Sequence, residues 1–245
     1  MSKRVSVVIP TLQKNVDLLN NLVSILDKDS SVSEIIVIDN SCRGYFHASD
    51  KVRVIIPEGN IFVNPAWNFG VREAKEEIIA LLNDDITISF DFCAKVAEKM
   101  TPDMGIVGPY EDCVINIPEI MPIPNMSDLF LEKAVGRCPW FGVAMFFYKT
   151  SYFEIPDELK IFFGDDYLYW KNKRNNRKNY YIKNQIIYHY GSLTSGCVSS
   201  CQKMAGKYYE KLHKKWWEKI FYIESVYKGF KLTIFGLRIV HHYRH

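Results

Sequence analysis

Residues 78–86, Ile78-Ile79-Ala80-Leu81-Leu82-Asn83-Asp84-Asp85-Ile86, decide how the chain is read. Five apolar residues follow one another without alternation, the pattern of a strand buried on both faces. The run stops at two adjacent carboxylates. Side by side at the tip of a buried strand they repel each other, and each is costly to desolvate unless donors or a cation meet it. A hard divalent cation is the simplest partner, because it takes oxygen ligands and shares them with phosphates. A solvated Asp-rich turn that merely ends the strand is the plain alternative, and an isolated acid pair would favour it. The remainder of the chain reverses that preference.

Val5-Ser6-Val7-Val8-Ile9 is a similar run stopped by Pro10, Glu34 to Ile38 is another that ends at Asp39-Asn40-Ser41, and Val52 to Ile56 is a shorter one. Val16, Leu18, Leu19, Leu22, Val23, Ile25 and Leu26 recur at helical spacing, so 15–28 is predicted as a helix, and 64–77 as a second. Strands interleaved with helices predict an α/β fold whose right-handed crossovers build one largely parallel sheet. Ligands of such sheets gather beyond the carboxyl ends of the strands. Thr11, Asp39, Asn40, Asp84 and Asp85 all fall there. Past residue 90 the pattern predicts a helix over 90–100, a short strand over 105–108 and a Pro-containing loop or insert over 111–137. An apolar stretch at 139–148, an aromatic-rich one around Asp165-Asp166 and a strand over 179–190 ending at His189 follow.

The chain has 245 residues, enough for one large domain with a sizeable core, and ordinary shares of hydrophobic (48%) and charged (24%) residues. Cys42, Cys93, Cys113, Cys138, Cys197 and Cys201 form no C-x-x-C pair, which suits reduced thiols better than a disulfide framework or a zinc site. The Cys197/Cys201 spacing alone lacks the partner pair that a metal site needs. Met1-Ser2-Lys3-Arg4 leads directly into a strand, so no signal peptide is expected, and no long apolar window predicts a membrane span. These features predict a cytoplasmic protein. From Lys203 onward ten basic residues face three acids, a surplus of +7 that leaves −4 for residues 1–202.

The turn after the first strand, Pro10-Thr11-Leu12-Gln13-Lys14-Asn15, has no glycine, so the backbone approach to a pyrophosphate that defines dinucleotide-binding turns is missing. No P-loop motif is present either. Asp39 can still accept from a ribose hydroxyl or a base N–H, although capping a turn explains it as well.

The segments 5–11, 35–41, 68–70 and 81–85, taken in order, resemble the GT-A nucleotide-sugar glycosyltransferases of family 2, with rhamnosyltransferase-like members closest; the likeness spans about 4–195. It implies a Rossmann-like, mostly parallel sheet flanked by helices. Residues 1–202 are expected as the catalytic domain, with a nucleotide half over about 1–90 and an acceptor half over about 91–202. Residues 203–245 are expected as a helical, basic, aromatic extension. Pro10, Thr11 and Asp39 would line the nucleoside pocket. Asn60, Asn64 and Asn68 fall in the segment that passes under the donor, and Gly70 would let helix and sheet approach closely. The family's D-x-D stands here as Asn83-Asp84-Asp85, which makes Asp85 the expected ligand of Mn²⁺ or Mg²⁺ and Asp84 a neighbour of the donor. Trp140 and Gly142 would sit by the donor sugar. Asp165 or Asp166 would be the catalytic base, with Gly164 standing where the family usually has Glu. His189 would complete the metal site, and Ser192, Thr194 and Ser195 would meet the diphosphate.

The resemblance thus implies an inverting transferase that moves a sugar from a nucleoside diphosphate to a glycan, lipid-linked or protein-linked hydroxyl. Two rival classes are a nucleotide-sugar binder without turnover and a nucleotidyltransferase. The second should carry a Gly-rich basic loop after the first strand, and this chain does not. In the tail, Lys214-Lys215-Trp216 resembles a family Lys-Trp element and favours packing on the catalytic domain. Peripheral contact with a membrane surface is the next reading, and nucleic acid comes last because the body is acidic, so no nucleic-acid partner is expected.

Overall fold

The computed structural model describes residues 3–45, 47–124, 126, 128–191, 205–207, 221–226, 229–234 and 237–242. In chain order the regular elements are β1 (Val5–Thr11), α1 (Val16–Lys28), β2 (Val32–Asp39), β3 (Val52–Ile55), α2 (Val63–Glu73), β4 (Ile78–Leu82) and β5 (Ile86–Thr87). They continue with α3 (Phe92–Lys99), β6 (Met104–Pro109), β7 (Val114–Asn116), β8 (Phe130–Lys133), β9 (Ala144–Tyr148), α4 (Gly164–Arg174), β10 (Lys178–Lys183) and β11 (Ile187–His189). An eight-stranded sheet runs in the order β3-β2-β1-β4-β9-β6-β10-β8.

Strands β1 to β4 pair in parallel, as the unalternating apolar runs predict. Strand β9 is antiparallel to both β4 and β6, so the sheet is mixed at its centre. The reversal has a positional consequence. Ala144, the first residue of β9, pairs with Leu82, the last of β4. The 3-10 turn Phe141–Val143 that feeds β9 therefore lies beside the acid pair, and Asn83 donates its backbone N–H to Val143 O at 3.1 Å.

Helix α1 starts where Asn15 accepts from the Leu18 N–H, and buries Leu18, Leu19, Leu22, Val23 and Leu26. Helix α2 is shorter than the predicted 64–77. Beyond Ala74 the backbone is captured by side chains of neighbouring strands: Lys75 N–H donates to Glu34 (2.5 Å) and Glu76 N–H to Ser6 (3.0 Å). A Cβ on Gly70 would lie 2.2 Å from Val8 Cγ1, so only glycine lets α2 rest directly on β1.

Three expectations are corrected. The single strand over 179–190 is two strands in two sheets, because Asn184 takes a left-handed backbone (φ 57°) and breaks the run. The 111–137 insert holds β7 and β8 rather than loop alone. The described residues from 221 onward are not helical but form a three-stranded antiparallel sheet of β12 (Phe221–Val226), β13 (Gly229–Ile234) and β14 (Leu237–His242). Phe230-Lys231-Leu232-Thr233-Ile234 alternates with period two, which suits a pleated strand and not a helix. Of the expected tail before residue 221, residues 205–207 are helical, with Ala205 buried, while Lys214, Lys215, Trp216 and Trp217 lie outside the described residues, as do Cys197 and Cys201. Among the described residues, no helix is long and apolar enough to cross a membrane.

Candidate active site

A cleft of about 480 Å³ opens over the carboxyl ends of β1, β2 and β4, and Pro10, Thr11, Asp84, Asp85, Trp140, Gly142, Asp165, Asp166 and His189 all line it. Strand register explains the first four. Val8 pairs with Leu81, so β1 and β4 end level with each other. Thr11 Oγ1 then donates to Asp84 Oδ2 at 2.5 Å. Burial, with the charge of Asp85 beside it, pushes the Asp84 carboxyl up to about 6 despite that hydrogen bond, and burial pushes Asp85 up to about 6 as well.

His189 reaches the same point from the other sheet. Strand β11 pairs antiparallel with β5, His189 opposite Ile86, and the Tyr190 N–H donates to Asp85 O at 3.0 Å. His189 is buried, and burial lowers its pKa, so the imidazole is neutral near pH 7. Its Nδ1 lies 2.9 Å from Asn116 Oδ1, which fixes the proton there and leaves Nε2 with a lone pair. That lone pair faces Asp85 Oδ1 at 3.6 Å, and Asp85 Oδ1 is buried without a hydrogen-bond partner. Two acceptors facing each other at this distance leave a place for a positive charge between them. Carboxylate–cation and imidazole–cation bonds of about 2.1 Å each would span the gap. Among the described residues there is no group of three or more His, Cys, Asp or Glu that could hold a metal unaided. Asp85 and His189 suit an ion that takes its remaining ligands from phosphate and water, the habit of Mg²⁺ and its relatives.

The raised carboxyls set a pH dependence. A folded-state value of about 6 against an ordinary 3.8 means each acid contributes stability that is present below pH 3.8 and lost as pH rises through 6. In chelator, the melting temperature should therefore fall between pH 5 and 7 on account of this pair, and Mn²⁺ should raise it at pH 7 but little at pH 5. Equal Mn²⁺ response at both pH values would contradict this assignment.

Two expected donor-site residues sit elsewhere. Asn68 is buried under α2 and does not line the cleft: its Oδ1 accepts from Tyr152 Oη (2.7 Å) and Ile155 N (2.9 Å), and its Nδ2 donates to Ile155 O (2.8 Å). It is a strut for 152–155. Asp39 spends its carboxylate on the loop that follows it, accepting from Ser41 N and Oγ (3.0 and 2.5 Å) and from Gly44 N (2.8 Å). Burial works against the charge, yet these hydrogen bonds and one from Gln13 leave its pKa below the ordinary value. Asn40, its neighbour, faces the cleft instead and ties Ile61 and Phe62 to β2.

On the opposite wall Asp165 and Asp166 open α4, with 9% of each exposed, where the helix dipole favours negative charge. Phe163, just before, is left-handed (φ 64°), and Phe62, in the turn packed against this segment through Asn64 and Lys160, has φ 68° with ψ 178°. Bulky residues in these regions mark backbone that its surroundings hold in place. Gly164 is explained by packing: a Cβ there would lie 2.3 Å from Asn64 Oδ1, and Asn64 Nδ2 donates to Leu159 O and Phe162 O. Arg137 was not foreseen from the sequence. Its Nη2 lies 3.1 Å from Asp165 Oδ2 and its Nε 2.6 Å from Asp166 Oδ1. It sits in a stretch without periodicity, and only the fold brings it to α4. Ser192, Thr194 and Ser195 lie outside the described residues.

Residues 6–151 match the model of glycosyl transferase family 2, and the chain belongs to that family. Among solved structures it is similar to GalNAc-T7 with UDP, GalNAc and Mn²⁺ (TM-score 0.65, 16% identity, 88% of this chain and 49% of that one). It is also similar to a mannosyltransferase from Pyrobaculum calidifontis in complex with GDP-Man and Mn²⁺ (0.57, 13%, 80% and 59%). Residues 1–349 of S. aureus TarS in complex with UDP are a further match (0.53, 16%, 77% and 61%). The chain spans about half to three fifths of the length of these structures, and at such identities they establish the GT-A-like fold. No curated protein matches the chain.

Proposed function

We propose that the chain is an inverting glycosyltransferase, dependent on Mn²⁺ or Mg²⁺, that moves a hexosyl or deoxyhexosyl group from a nucleoside-diphosphate sugar to a hydroxyl of a glycan, lipid-linked or protein-linked acceptor. The observation that carries this reading is the unpartnered Asp85 Oδ1 facing the lone pair of His189 in the cleft that also holds Asp165 and Asp166. A divalent ion at Asp85 and His189 would supply charge neutralisation for the departing diphosphate. Pro10 and Thr11 line the nucleoside end, with Asp39 beside Thr11 in the sheet, ordering the adjoining loop and accepting from the base or ribose. Trp140, 5.9 Å from His189 in an edge-on ring contact, and Gly142, against Asp165, frame the sugar. One of the two acids on α4 accepts the acceptor hydroxyl's proton. A single base and an in-line attack give inversion. Residues 1–90 would serve the nucleotide and 91–202 the acceptor, with 203–245 as an extension that touches the acceptor or a membrane surface.

The test is a thermal-shift panel of UDP-, GDP-, dTDP- and CMP-sugars with and without Mn²⁺, followed by product analysis. A donor that stabilises only with metal, and is turned over to free nucleoside diphosphate, is expected. Release of pyrophosphate would point to a nucleotidyltransferase instead, and tight binding without any turnover to a binding protein.

A further inference from the structure

We propose that one wall of the cleft, formed by Phe62, Trp67, Phe162 and Phe163, is a subsite for a sugar ring, so that the hydroxyl receiving the transferred group belongs to a glycosyl acceptor and not to a peptide or a simple lipid alcohol. The proposal rests on the glycosyltransferase reading of the site and narrows its acceptor.

Two backbone outliers point to this wall. Among the described non-glycine residues with positive φ, two are aromatic, Phe62 and Phe163, and both line the cleft. Each stands at the N-cap of a helix, where Ser, Thr, Asp or Asn would stabilise the end, and neither supplies a side-chain cap bond. Phe62, at φ 68° and ψ 178°, occupies a region that glycine takes almost alone. Its N–H donates to Asn60 Oδ1 at 2.8 Å, and its carbonyl accepts from Asn40 Nδ2 at 3.3 Å and from the Ala66 N–H at 3.2 Å. Core packing does not account for the ring, because Phe62 is only half-buried and belongs to neither core cluster. Glycine would satisfy this backbone without strain, so the position is held for its side chain, and that side chain meets the cleft.

The two caps form a single surface. The Asn64 N–H donates to Lys160 O at 3.0 Å and its Nδ2 to Phe162 O at 3.2 Å, while Lys160 Nζ lies 5.0 Å from the centre of the Phe62 ring. Phe162 and Phe163 meet edge-on with centroids 6.5 Å apart. Val63 and Trp67, one turn apart on α2, line the cleft as well. Trp67 is 4% exposed, and its Nε1 has no hydrogen-bond partner among the described residues. A buried indole N–H in a cleft wall is a donor that a ligand oxygen can complete. Rings together with one such donor select the ligand's chemistry. A pyranose offers polarised C–H bonds from its face, which suit the negative face of an aromatic ring, and hydroxyl oxygens from its rim, which accept from the indole. An extended peptide would bring amide groups that the rings cannot pair, and an alkyl chain would leave the indole N–H unmet. Asp165 and Asp166 follow directly along α4, so a sugar on this wall brings a hydroxyl beside them, whereas Trp140 and Gly142 come from the turn before β9.

The experiment measures transfer from the nucleotide sugar found in the thermal-shift panel to a set of methyl pyranosides, a blocked Ser/Thr peptide and decanol, for the unsubstituted protein, Phe62→Gly, Phe62→Ala, Phe163→Gly and Trp67→Phe, with melting temperatures alongside. Transfer to at least one methyl pyranoside is expected. Phe62→Gly and Phe163→Gly should each raise the acceptor KM about tenfold with donor KM little changed. Trp67→Phe, which keeps a ring without the N–H, should raise it by about the same factor. Phe62→Ala loses the ring but keeps the strain, so it should melt below Phe62→Gly, the reverse of the order at an ordinary position. Transfer to the peptide or decanol but to no pyranoside would overturn the proposal. So would a rise in donor KM with acceptor KM unchanged, or a Phe62→Gly protein that melts below Phe62→Ala. If the unsubstituted protein turns over no nucleotide sugar, the functional reading fails by itself, and saturation-transfer NMR with the methyl pyranosides decides the subsite. Binding weakened by Phe62→Gly and Phe163→Gly sustains it, and no binding, or binding indifferent to both, overturns it.

Discussion

Asp85→Asn is expected to reduce sugar transfer by about three orders of magnitude and to abolish saturable activation by Mn²⁺. The carboxylate is nine-tenths buried, and its Oδ1 has no hydrogen-bond partner. An amide there cannot neutralise a cation, and the several kcal/mol of charge stabilisation that a metal lends a departing phosphate goes with it. Asp84→Asn should cost far less, about tenfold, because Thr11 already occupies one of its oxygens. Activity titrated against Mn²⁺ for both variants provides the comparison. An Asp85→Asn protein with unaltered rate and Mn²⁺ dependence would remove the metal from this site.

Gly70→Val should be the most damaging single substitution for folding, lowering stability by about 3 kcal/mol or more. Even a methyl would lie 2.2 Å from Val8 Cγ1, 3.0 Å from Cγ2 and 3.2 Å from Cβ, all in the core of β1. Val8 is wholly buried and cannot give way without disturbing the core residues packed around it. Because β1 also carries Pro10 and Thr11 into the cleft, donor affinity should drop in the same variant at temperatures where it stays folded. Chemical denaturation compared with Gly59→Ala, whose Cβ would meet nothing within 4 Å, separates crowding from loss of glycine flexibility. Equal stability of the two variants would refute the close-packing account.

The nucleotide-side strands were legible because their side chains answer to one rule. A run buried on both faces must be apolar, and it must stop where water or ligand begins, so Thr11, Asp39 and Asp84-Asp85 mark strand ends in the letters themselves. What the letters do not carry is which way a polar side chain turns once it arrives. Asp39 and Asn68 lie in the segments the family likeness singles out, yet one bonds its own loop and the other a segment 84 to 87 residues away. The split of 179–190 hinges on one left-handed Asn184, a residue type that tolerates that backbone without requiring it. Arg137 had no local signal at all, since Asp165 lies 28 residues on and the intervening chain includes the reversed β9.

That reversed strand makes the site a matter of counting. Its first residue meets the last residue of β4, and one backbone bond from Asn83 to Val143 fixes the offset between the acid pair and the Trp140–Gly142 turn. Inserting or deleting one residue in 141–148 would slide the turn by about 3.4 Å and exchange which side chains face the core. Segment lengths on the two sides of this seam are thus locked together, whereas the stretch around 118–124, which forms no strand, is free to lengthen. Variation in substrate among proteins built on this plan has room to arise in that outer stretch, while the spacing between the two walls of the cleft stays that of a single hydrogen-bonded ladder.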